Sequence, residues 1–363
     1  MSETLSMHPE LGREVPIGRI EKELHQLWSE DDAHTNASLV NLAVYTEDPS
    51  ALEQNSAAVR ELTQEHACRA LLIGIDREIS ETSIKAWITA HCHLAAGRKT
   101  VCCEQIAFAL TGRATGRLRN TVFAHLNSDL PLILWWQGEL SPIFSERLYS
   151  LVDRFVFDSA EWSDPEASFD TLTAALEDAG RMIPQDLAWS RSYQFRLSVA
   201  ALFDDPVAQS ALTAVETVEI RYHPDHRISA LQMLAWLVVQ AGWKDGLELD
   251  LADARKRGEG QSYSFESASG SPIRATLIPD EASAPLGSVE IRMGEVRIEV
   301  SREAGSNHLR RLLEASGHVA EAPAPVDSEG SVDLVGEQLS RGGRNTLFFK
   351  IMPRFRQLLS ESC

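Results

Sequence analysis

Apolar residues in the first half of the chain come in short blocks that alternate with longer amphipathic stretches. The blocks have the length and composition of buried strands, and the stretches between them repeat apolar residues at helical spacing. This alternation predicts an α/β layer with a largely parallel or mixed sheet. The predicted strands are Leu39–Tyr45, Ala70–Ile75, Trp87–Leu94, Val101–Leu110, Leu130–Trp136 and Arg154–Asp158, and the predicted helices are Ser50–Gln64, Arg113–Leu126, Pro142–Leu151 and Ser168–Ala179.

One connection in this half is too short for a helix. Leu94–Thr100 contains a glycine and joins two predicted strands directly. We therefore expect the two strands to form an antiparallel hairpin, in which Leu94 lies opposite Thr100.

The second half has a different pattern. Val218–Tyr222 alternates between apolar and polar residues, and so do Val289–Met293 and Val296–Val300 on either side of a glycine turn. Strict alternation predicts an antiparallel sheet with one face in water, where Glu and Arg can pair across the strands. Helices must cover the other face, and the apolar stretch Ile228–Trp243 is one of them. This half is predicted to be α+β.

The two patterns meet near Arg181–Asp186, which predicts an α/β domain over residues 1–185 and an α+β domain over residues 186–363. The second domain is expected to begin with a helix, Leu187–Phe203. We expect Val319–Gly330 to be an exposed loop, and Pro353 to kink or restart the final helix.

Composition narrows the classes of function. The chain has 363 residues, with 53 acidic and 34 basic side chains and a net charge of −19. Such a charge argues against binding to nucleic acid or to an anionic membrane surface. No signal peptide is visible at the start and no apolar run reaches the length of a membrane span, so we expect a cytoplasmic protein. The five cysteines do not form a secreted disulfide framework.

The common catalytic and phosphate-binding motifs are absent from the sequence. Gly112 and Gly116 lie four residues apart, but the segment that follows them carries Arg113, Arg117 and Arg119 and does not close a phosphate loop. A phosphate site is one interpretation of these residues, and a solvated helix face is the simpler one.

Histidines and cysteines face each other across the predicted hairpin. Because side chains alternate along a strand, His91, His93 and Cys103 share one face, whereas Cys92 and Cys102 share the other. The first set could hold zinc with water as the fourth ligand. The second set is a candidate redox pair. Small buried thiols beside structural histidines are the simpler alternative.

Two further groups of residues are candidates for function. Trp135 and Trp136 end a predicted strand and point to opposite faces, so one could anchor a partner protein while the other packs in the core. Asp76, Asp158 and Asp225 follow strands or precede a helix, where acids of α/β sites gather, although Asp225 could instead cap a helix.

Several segments resemble one known family. Ala67–Leu72, Ala90–Cys92, Val101–Ile106 and above all Asp129–Trp136 are similar to the glucose-6-phosphate dehydrogenase assembly protein family, OpcA. Trp189–Phe203 and the later strands and helices follow the family's order, so the resemblance covers nearly the whole chain.

This resemblance implies a non-catalytic protein that binds glucose-6-phosphate dehydrogenase and promotes its assembled, active form in the oxidative pentose phosphate pathway. It implies no cofactor of its own, because NADP and glucose 6-phosphate belong to the dehydrogenase. Members from photosynthetic bacteria are linked to thiol redox control, but the second half of this chain has no cysteine other than Cys363. The alternatives are a metal-dependent enzyme using His91, His93 and Cys103, and a redox sensor using Cys92 and Cys102.

Overall fold

A computed structural model describes residues 7–29, 34–36, 38–95, 99–246, 260–341 and 345–361. Contacts divide the chain into two compact units. The first comprises residues 1–163, 170–185 and 330–344, and the second comprises residues 164–169, 186–329 and 345–363. The predicted fold classes of the two halves are confirmed, whereas the boundary after residue 185 stays a prediction. Cys363 and the middle of the predicted hairpin loop lie outside the described residues.

The first unit is built around one large sheet with helices between its strands. Its elements are β1 (Met7–His8), β2 (Gly12–Glu14), α1 (Ile20–Ser29), β3 (His34–Asn36), β4 (Val40–Thr46), α2 (Leu52–Leu62), β5 (Cys68–Asp76), β6 (Ser83–Ala95), β7 (Lys99–Thr111), α3 (Leu118–Thr121), β8 (Leu132–Trp136), α4 (Glu146–Tyr149), β9 (Arg154–Phe157), α5 (Pro165–Ala179) and β10 (Ile183–Asp186).

The strand order is β1-β2-β6-β7-β5-β4-β8-β9-β10, and β3 pairs with β7. Strands β7, β5, β4, β8 and β9 run parallel to one another. Burial on both faces explains why β4 and β8 are continuously apolar and do not alternate. From β7 to β10 the order is that of a doubly wound dinucleotide-binding sheet, in which the direction of winding reverses between β4 and β8.

The predicted hairpin is confirmed with its register. Strands β6 and β7 pair antiparallel, with Leu94 opposite Thr100 and Cys92 opposite Cys102. Both strands extend beyond their predicted bounds, so the hairpin forms one long antiparallel arm on the sheet. This register fixes which side chains share a face.

Two predicted helices of this unit are not continuous. Residues 112–126 form a 3-10 segment, the single turn α3 and a second 3-10 turn, and only α4 forms within Pro142–Leu151. Gly112 has a positive φ of 56°, which ends β7 sharply. Gly116 and Pro142 add further points at which a regular helix is disfavoured.

The second unit is an eight-stranded sheet with helices. Its elements are α6 (Leu187–Ser190), α7 (Tyr193–Leu202), α8 (Pro206–Ala211), β11 (Val215–Tyr222), α9 (Arg227–Ala241), β12 (Lys244–Asp245), β13 (Gln261–Glu266), β14 (Pro272–Pro279), β15 (Leu286–Met293), β16 (Val296–Ser301), β17 (Leu309–Ala315), β18 (His318–Ala324) and, after a return of the chain to the first unit, α11 (Thr346–Ser360). The strand order is β12-β13-β14-β11-β15-β16-β17-β18, antiparallel except between β11 and β14.

The sheet has one apolar face and one charged face, as the alternation predicts. Helices α9 and α11 pack against each other in this unit, and the Tyr263 hydroxyl of β13 donates to the Leu358 carbonyl of α11 at 3.3 Å. On the charged face Arg297 pairs with Glu290 and Glu314, at 2.8 Å in each case, and also with Glu299. Glu314 lies directly opposite Arg297 in the register, whereas Glu290 is its diagonal neighbour on the other side.

Three predictions for this half are wrong in detail. Val319–Gly330 is not a loop throughout, because its first residues form the edge strand β18. The predicted opening helix is divided into α6 and α7, and α11 continues through Pro353 without a restart. In β18 apolar and polar side chains do not alternate strictly, which hides the strand from a pattern search.

A late segment of the chain belongs to the first unit. Helix α10 (Ser331–Ser340) packs against α2, and a Cβ added to Gly336 would lie 3.4 Å from a methyl group of Leu62. The Arg154 guanidinium donates to the carbonyl oxygens of Gln338 and Arg341, at 3.3 Å and 3.1 Å, and so satisfies the last turn of the helix.

Candidate functional site

The carboxyl edge of the parallel strands is the first place to look for a site. In open α/β sheets ligands bind at this edge, in the crevice where strand order reverses. In this chain the crevice lies between β4 and β8, beside the turn that joins β4 to α2. The residues around that turn therefore decide what the crevice can hold.

The turn after β4 is acidic and has no glycine. It reads Thr46-Glu47-Asp48-Pro49-Ser50. Asp48 accepts from the Ser50 amide at 2.9 Å, so a carboxylate caps the amide groups that would face a phosphate. Glu47 accepts from the Tyr45 hydroxyl at 2.8 Å and lies 3.5 Å from Arg77. Two fixed negative charges therefore stand where a pyrophosphate would bind.

A pair of side-chain amides closes the crevice itself. Asn55 of α2 donates to Gln137 at 2.9 Å, and Gln137, which follows β8, donates back to Asn55 at 2.8 Å. Asn55 is buried. The backbone N–H of Gln137 also donates to the Tyr45 carbonyl at 2.9 Å, which extends the β4–β8 pairing by one bond. This reciprocal bridge spans the point where strand order reverses.

The sequence carries one weak signal of the bridge. Asn55 interrupts the buried stripe of α2 that also includes Leu52, Val59 and Leu62. A polar residue on a buried helix face must find a hydrogen-bond partner. Nothing in the sequence identifies Gln137 as that partner, because the two residues are far apart along the chain.

Trp135 and Trp136 are both buried, with 4% and 1% of their surface exposed. The Trp136 ring stacks on Tyr45 with centroids 3.8 Å apart, and its indole nitrogen donates to the Glu139 carbonyl at 2.9 Å. Burial of the Tyr45 hydroxyl raises its pKa, so the phenol stays protonated and continues to donate. Neither indole is presented for a partner in this structure, and their role in partner binding stays a prediction.

The hairpin histidines are held by neighbouring polar side chains. His91 Nε2 lies 2.9 Å from Gln105 Oε1, and the Gln105 amide donates to Ser56 of α2 at 2.8 Å. Ser56 donates in turn to the Glu10 carbonyl at 2.8 Å. Burial lowers the pKa of His91, so the imidazole is neutral when the chain is folded. This chain of hydrogen bonds ties α2 to the hairpin.

The proposed metal ligands His91, His93 and Cys103 are not gathered at one point. His93 Nε2 lies 3.0 Å from the Thr63 hydroxyl, whereas His91 bonds to Gln105. Within the described ranges, no three His, Cys, Asp or Glu side chains form a group that could hold a metal ion. As the alternation predicts, the three residues lie on one face of the sheet, but they are spread along the strands.

Cys103 instead meets a thiol that appears isolated in the sequence. Cys68, at the start of β5, and Cys103 are both free and buried. A hydrogen bond from the Cys68 thiol lowers the pKa of Cys103 to about 7, and the same bond raises the pKa of Cys68. The parallel pairing of β5 and β7 brings these residues together, which spacing along the chain does not show.

On the opposite face of the hairpin Cys92 and Cys102 form a disulfide bond. Their Cα atoms are 4.1 Å apart, as the directly opposed register requires. Cys92 is exposed and Cys102 is buried. One sulfur of the pair is therefore accessible to a reductant from solvent.

The three candidate acids are engaged locally. Asp76 accepts from the amide of Glu78 at 2.9 Å, and Asp158 accepts from the amide of Ala160 at 3.2 Å. The Asp225 carboxylate lies 3.5 Å from His223 and does not cap α9, whose first residue has no side-chain cap. None of these geometries assigns a catalytic role.

Family models match most of the chain. Residues 59–174 match the model described as the glucose-6-phosphate dehydrogenase subunit N-terminal domain, and residues 184–352 match that of its C-terminal domain. The chain belongs to the OpcA family. The family resemblance inferred from Asp129–Trp136 and its companions is thereby confirmed.

Two cyanobacterial OpcA proteins are similar over much of the chain. The putative OxPP cycle protein OpcA of Synechococcus elongatus is 24% identical over 277 residues, which are 73% of this chain and 62% of that protein. Its counterpart from Synechocystis is 23% identical over 340 residues, which are 89% of this chain and 70% of that protein. The chain thus spans less than two thirds of the length of the first of these relatives.

Two solved structures align with most of the chain. Glucose-6-phosphate 1-dehydrogenase from Mycobacterium avium aligns over 88% of this chain and 90% of its own, with 12% identity and a TM-score of 0.51. An aldose-aldose oxidoreductase from Caulobacter crescentus covers 89% of this chain and 98% of its own, with 13% identity and a TM-score of 0.46. The first likeness shows a shared fold and carries nothing about function. In the part of this OpcA-family chain that the structure describes, no helix has the length and apolar content to cross a bilayer.

Trp136→Ala is expected to lower the free energy of unfolding by about 3–5 kcal/mol, because it removes a fully buried ring from the core of the first unit. Chemical denaturation followed by circular dichroism measures the loss, and Trp136→Phe should recover a large part of it. If Trp136→Ala retains its stability and loses only dehydrogenase binding, the ring is a partner contact and the core assignment is wrong.

His91 is expected to make stability depend on pH. The unfolded imidazole takes up a proton near pH 6.5 whereas the folded one resists it, so this contribution is complete above pH 6.5 and is lost as the pH falls further. The melting temperature of the natural chain should therefore drop more between about pH 7.5 and about pH 5.5 than the melting temperature of His91→Gln. Exposed His25→Gln is the control, and an equal drop in all three proteins would contradict the role of His91.

Proposed function

We propose that this chain is a non-catalytic activator that binds glucose-6-phosphate dehydrogenase and favours its active oligomeric state. Family membership supports the identity of the partner. Both proteins then act together in the oxidative pentose phosphate pathway, in the cytoplasm.

The non-catalytic part of the proposal rests on the crevice between β4 and β8, which side chains of this chain span. A dehydrogenase needs a dinucleotide across this point, with its pyrophosphate on a glycine-rich turn. Here Asp48 caps the turn and the bridge between Asn55 and Gln137 fills the space beside it. These contacts support the proposal that the chain itself takes no dinucleotide at this edge of the sheet.

Activation by binding needs no chemistry in the activator. A protein that binds the active oligomer more tightly than the inactive form shifts the equilibrium by that difference in affinity. A coupling of about 1–3 kcal/mol changes the population of the active state by roughly 5–150-fold. An acidic protein could also speed its encounter with a basic surface of the dehydrogenase.

Titration of this chain into the dehydrogenase from the same organism tests the proposal. Substrate affinity or activity should rise, and light scattering should show a larger assembly that contains both chains. The isolated chain should neither bind NADP nor reduce it with glucose 6-phosphate. A folded chain that changes neither the activity nor the size of the dehydrogenase would end the proposal, as would turnover by the chain alone that one substitution abolishes.

A thiol-redox sensor is a second candidate, favoured by the disulfide bond between exposed Cys92 and buried Cys102 on the hairpin. Reduction would add two electrons and two protons from a dithiol reductant and release both thiols. The bond joins the two strands of the hairpin beside its turn. A sensor would couple that change to dehydrogenase activation, whereas a structural bond would not.

Reduction with dithiothreitol, followed by unfolding and labelling with a maleimide-polyethylene glycol reagent, should add two labels more than the same labelling of an unreduced sample. Cys92→Ser with Cys102→Ser is the matched control and should lose both labels. The sensor hypothesis predicts that reduced and oxidised chains activate the dehydrogenase to different extents. Equal activation by both forms would leave the bond a structural one.

A further inference from the structure

A groove of about 340 Å³ lies between two connections of the first unit. One wall comes from the segment after β7 and the other from the segment after β8. Both segments leave the sheet at the carboxyl ends of parallel strands, the edge at which sheets of this kind bind ligands. The lining residues are Gly116, Leu118, Arg119, Asn120, Phe123, Pro142, Ile143, Ser145, Arg147 and Leu148.

The groove carries positive charge without a carboxylate. Arg119 and Arg147 line it, and Arg113 and Arg117 lie nearby in the chain. All four side chains are exposed, and none of them pairs with an acidic group among the residues the structure describes. The chain as a whole has a net charge of −19, so this carboxylate-free group of arginines is a local positive region that attracts anions.

A second cavity shows the contrast. At the amino edge of the same sheet Arg69 also lines a cavity, but it lies 2.7 Å from Glu21 and 3.3 Å from Glu104. Its charge is neutralised within the protein. The guanidinium groups of Arg119 and Arg147 instead keep their hydrogen-bond donors available for an anion.

Beneath the arginines the floor of the groove is apolar. Leu118, Phe123 and Leu148 are buried, with 6%, 8% and 4% of their surface exposed. Asn120 and Ser145 add polar groups at the rim, and the Ser145 hydroxyl does not cap the helix that follows it. An apolar floor below a cationic rim fits a ligand that combines a carbon skeleton or ring with anionic groups.

We propose that this groove binds an organic phosphate. Arg119 and Arg147 would hold the phosphate oxygens, since planar guanidinium groups match phosphate geometry with paired hydrogen bonds. Asn120 and Ser145 would contribute further hydrogen bonds, and the organic part would cover Leu118, Phe123 and Leu148. The site differs from the closed dinucleotide crevice, and the proposal does not depend on the dehydrogenase.

Isothermal titration calorimetry at fixed ionic strength tests the site with four probes. ADP supplies phosphates and a ring, pyrophosphate supplies charge alone, adenosine supplies the ring alone, and citrate supplies carboxylates. We expect ADP to bind most tightly and adenosine most weakly. Arg119→Gln with Arg147→Gln should weaken ADP binding at least tenfold, whereas Arg19→Gln, which changes an exposed arginine elsewhere in the unit, should leave it unchanged.

The outcomes separate the alternatives. Equal ADP binding by the double variant and the natural chain overturns the site, and so does the absence of ADP binding. Tighter binding of citrate than of ADP overturns the assignment to phosphate. If the double variant keeps ADP binding but loses the dehydrogenase, the arginines form a protein contact and the proposal is wrong. Circular dichroism confirms that each variant is folded.

Discussion

In a doubly wound parallel sheet the direction of winding reverses at one point, and this reversal leaves a crevice at the carboxyl ends of the strands. In enzymes of this architecture a dinucleotide fills it. Here the crevice between β4 and β8 is filled by two amides, Asn55 and Gln137, each of which satisfies both the donor and the acceptor of the other. The exchange costs little, because every buried polar atom of the pair retains a partner.

The same sheet distributes its polar groups by face. One face of the hairpin joins His91 to α2 through Gln105 and Ser56, and the other carries the disulfide bond of Cys92 and Cys102. The alternation of side chains along a strand is sufficient to separate the two sets. Hydrogen bonds therefore hold the hairpin to α2 on one face, and a covalent cross-link joins the two strands of the hairpin on the other.

Much of this was predictable from the sequence, and the failures have physical causes. Buried parallel strands such as β4 and β8 were recognisable as apolar blocks, and the short loop fixed the register of the hairpin. Contacts across parallel strands could not be predicted, because the residues that they join have no fixed separation along the chain. Cys68 therefore appeared isolated although it lies beside Cys103, and the partner of Asn55 could not be named. The segment after Thr111 has helical composition but no continuous helix, because Gly112 turns the chain with a left-handed backbone.

Helix α10 has a consequence for how the molecule comes into being. Its residues lie almost at the end of the chain, yet they belong to the first unit and pack on Leu62. During synthesis the sheet of that unit emerges from the ribosome long before the helix that completes it. The apolar surface of α2 therefore stays uncovered until nearly the whole second half has been translated. A gene truncated after residue 185 would encode a first unit with part of its core exposed.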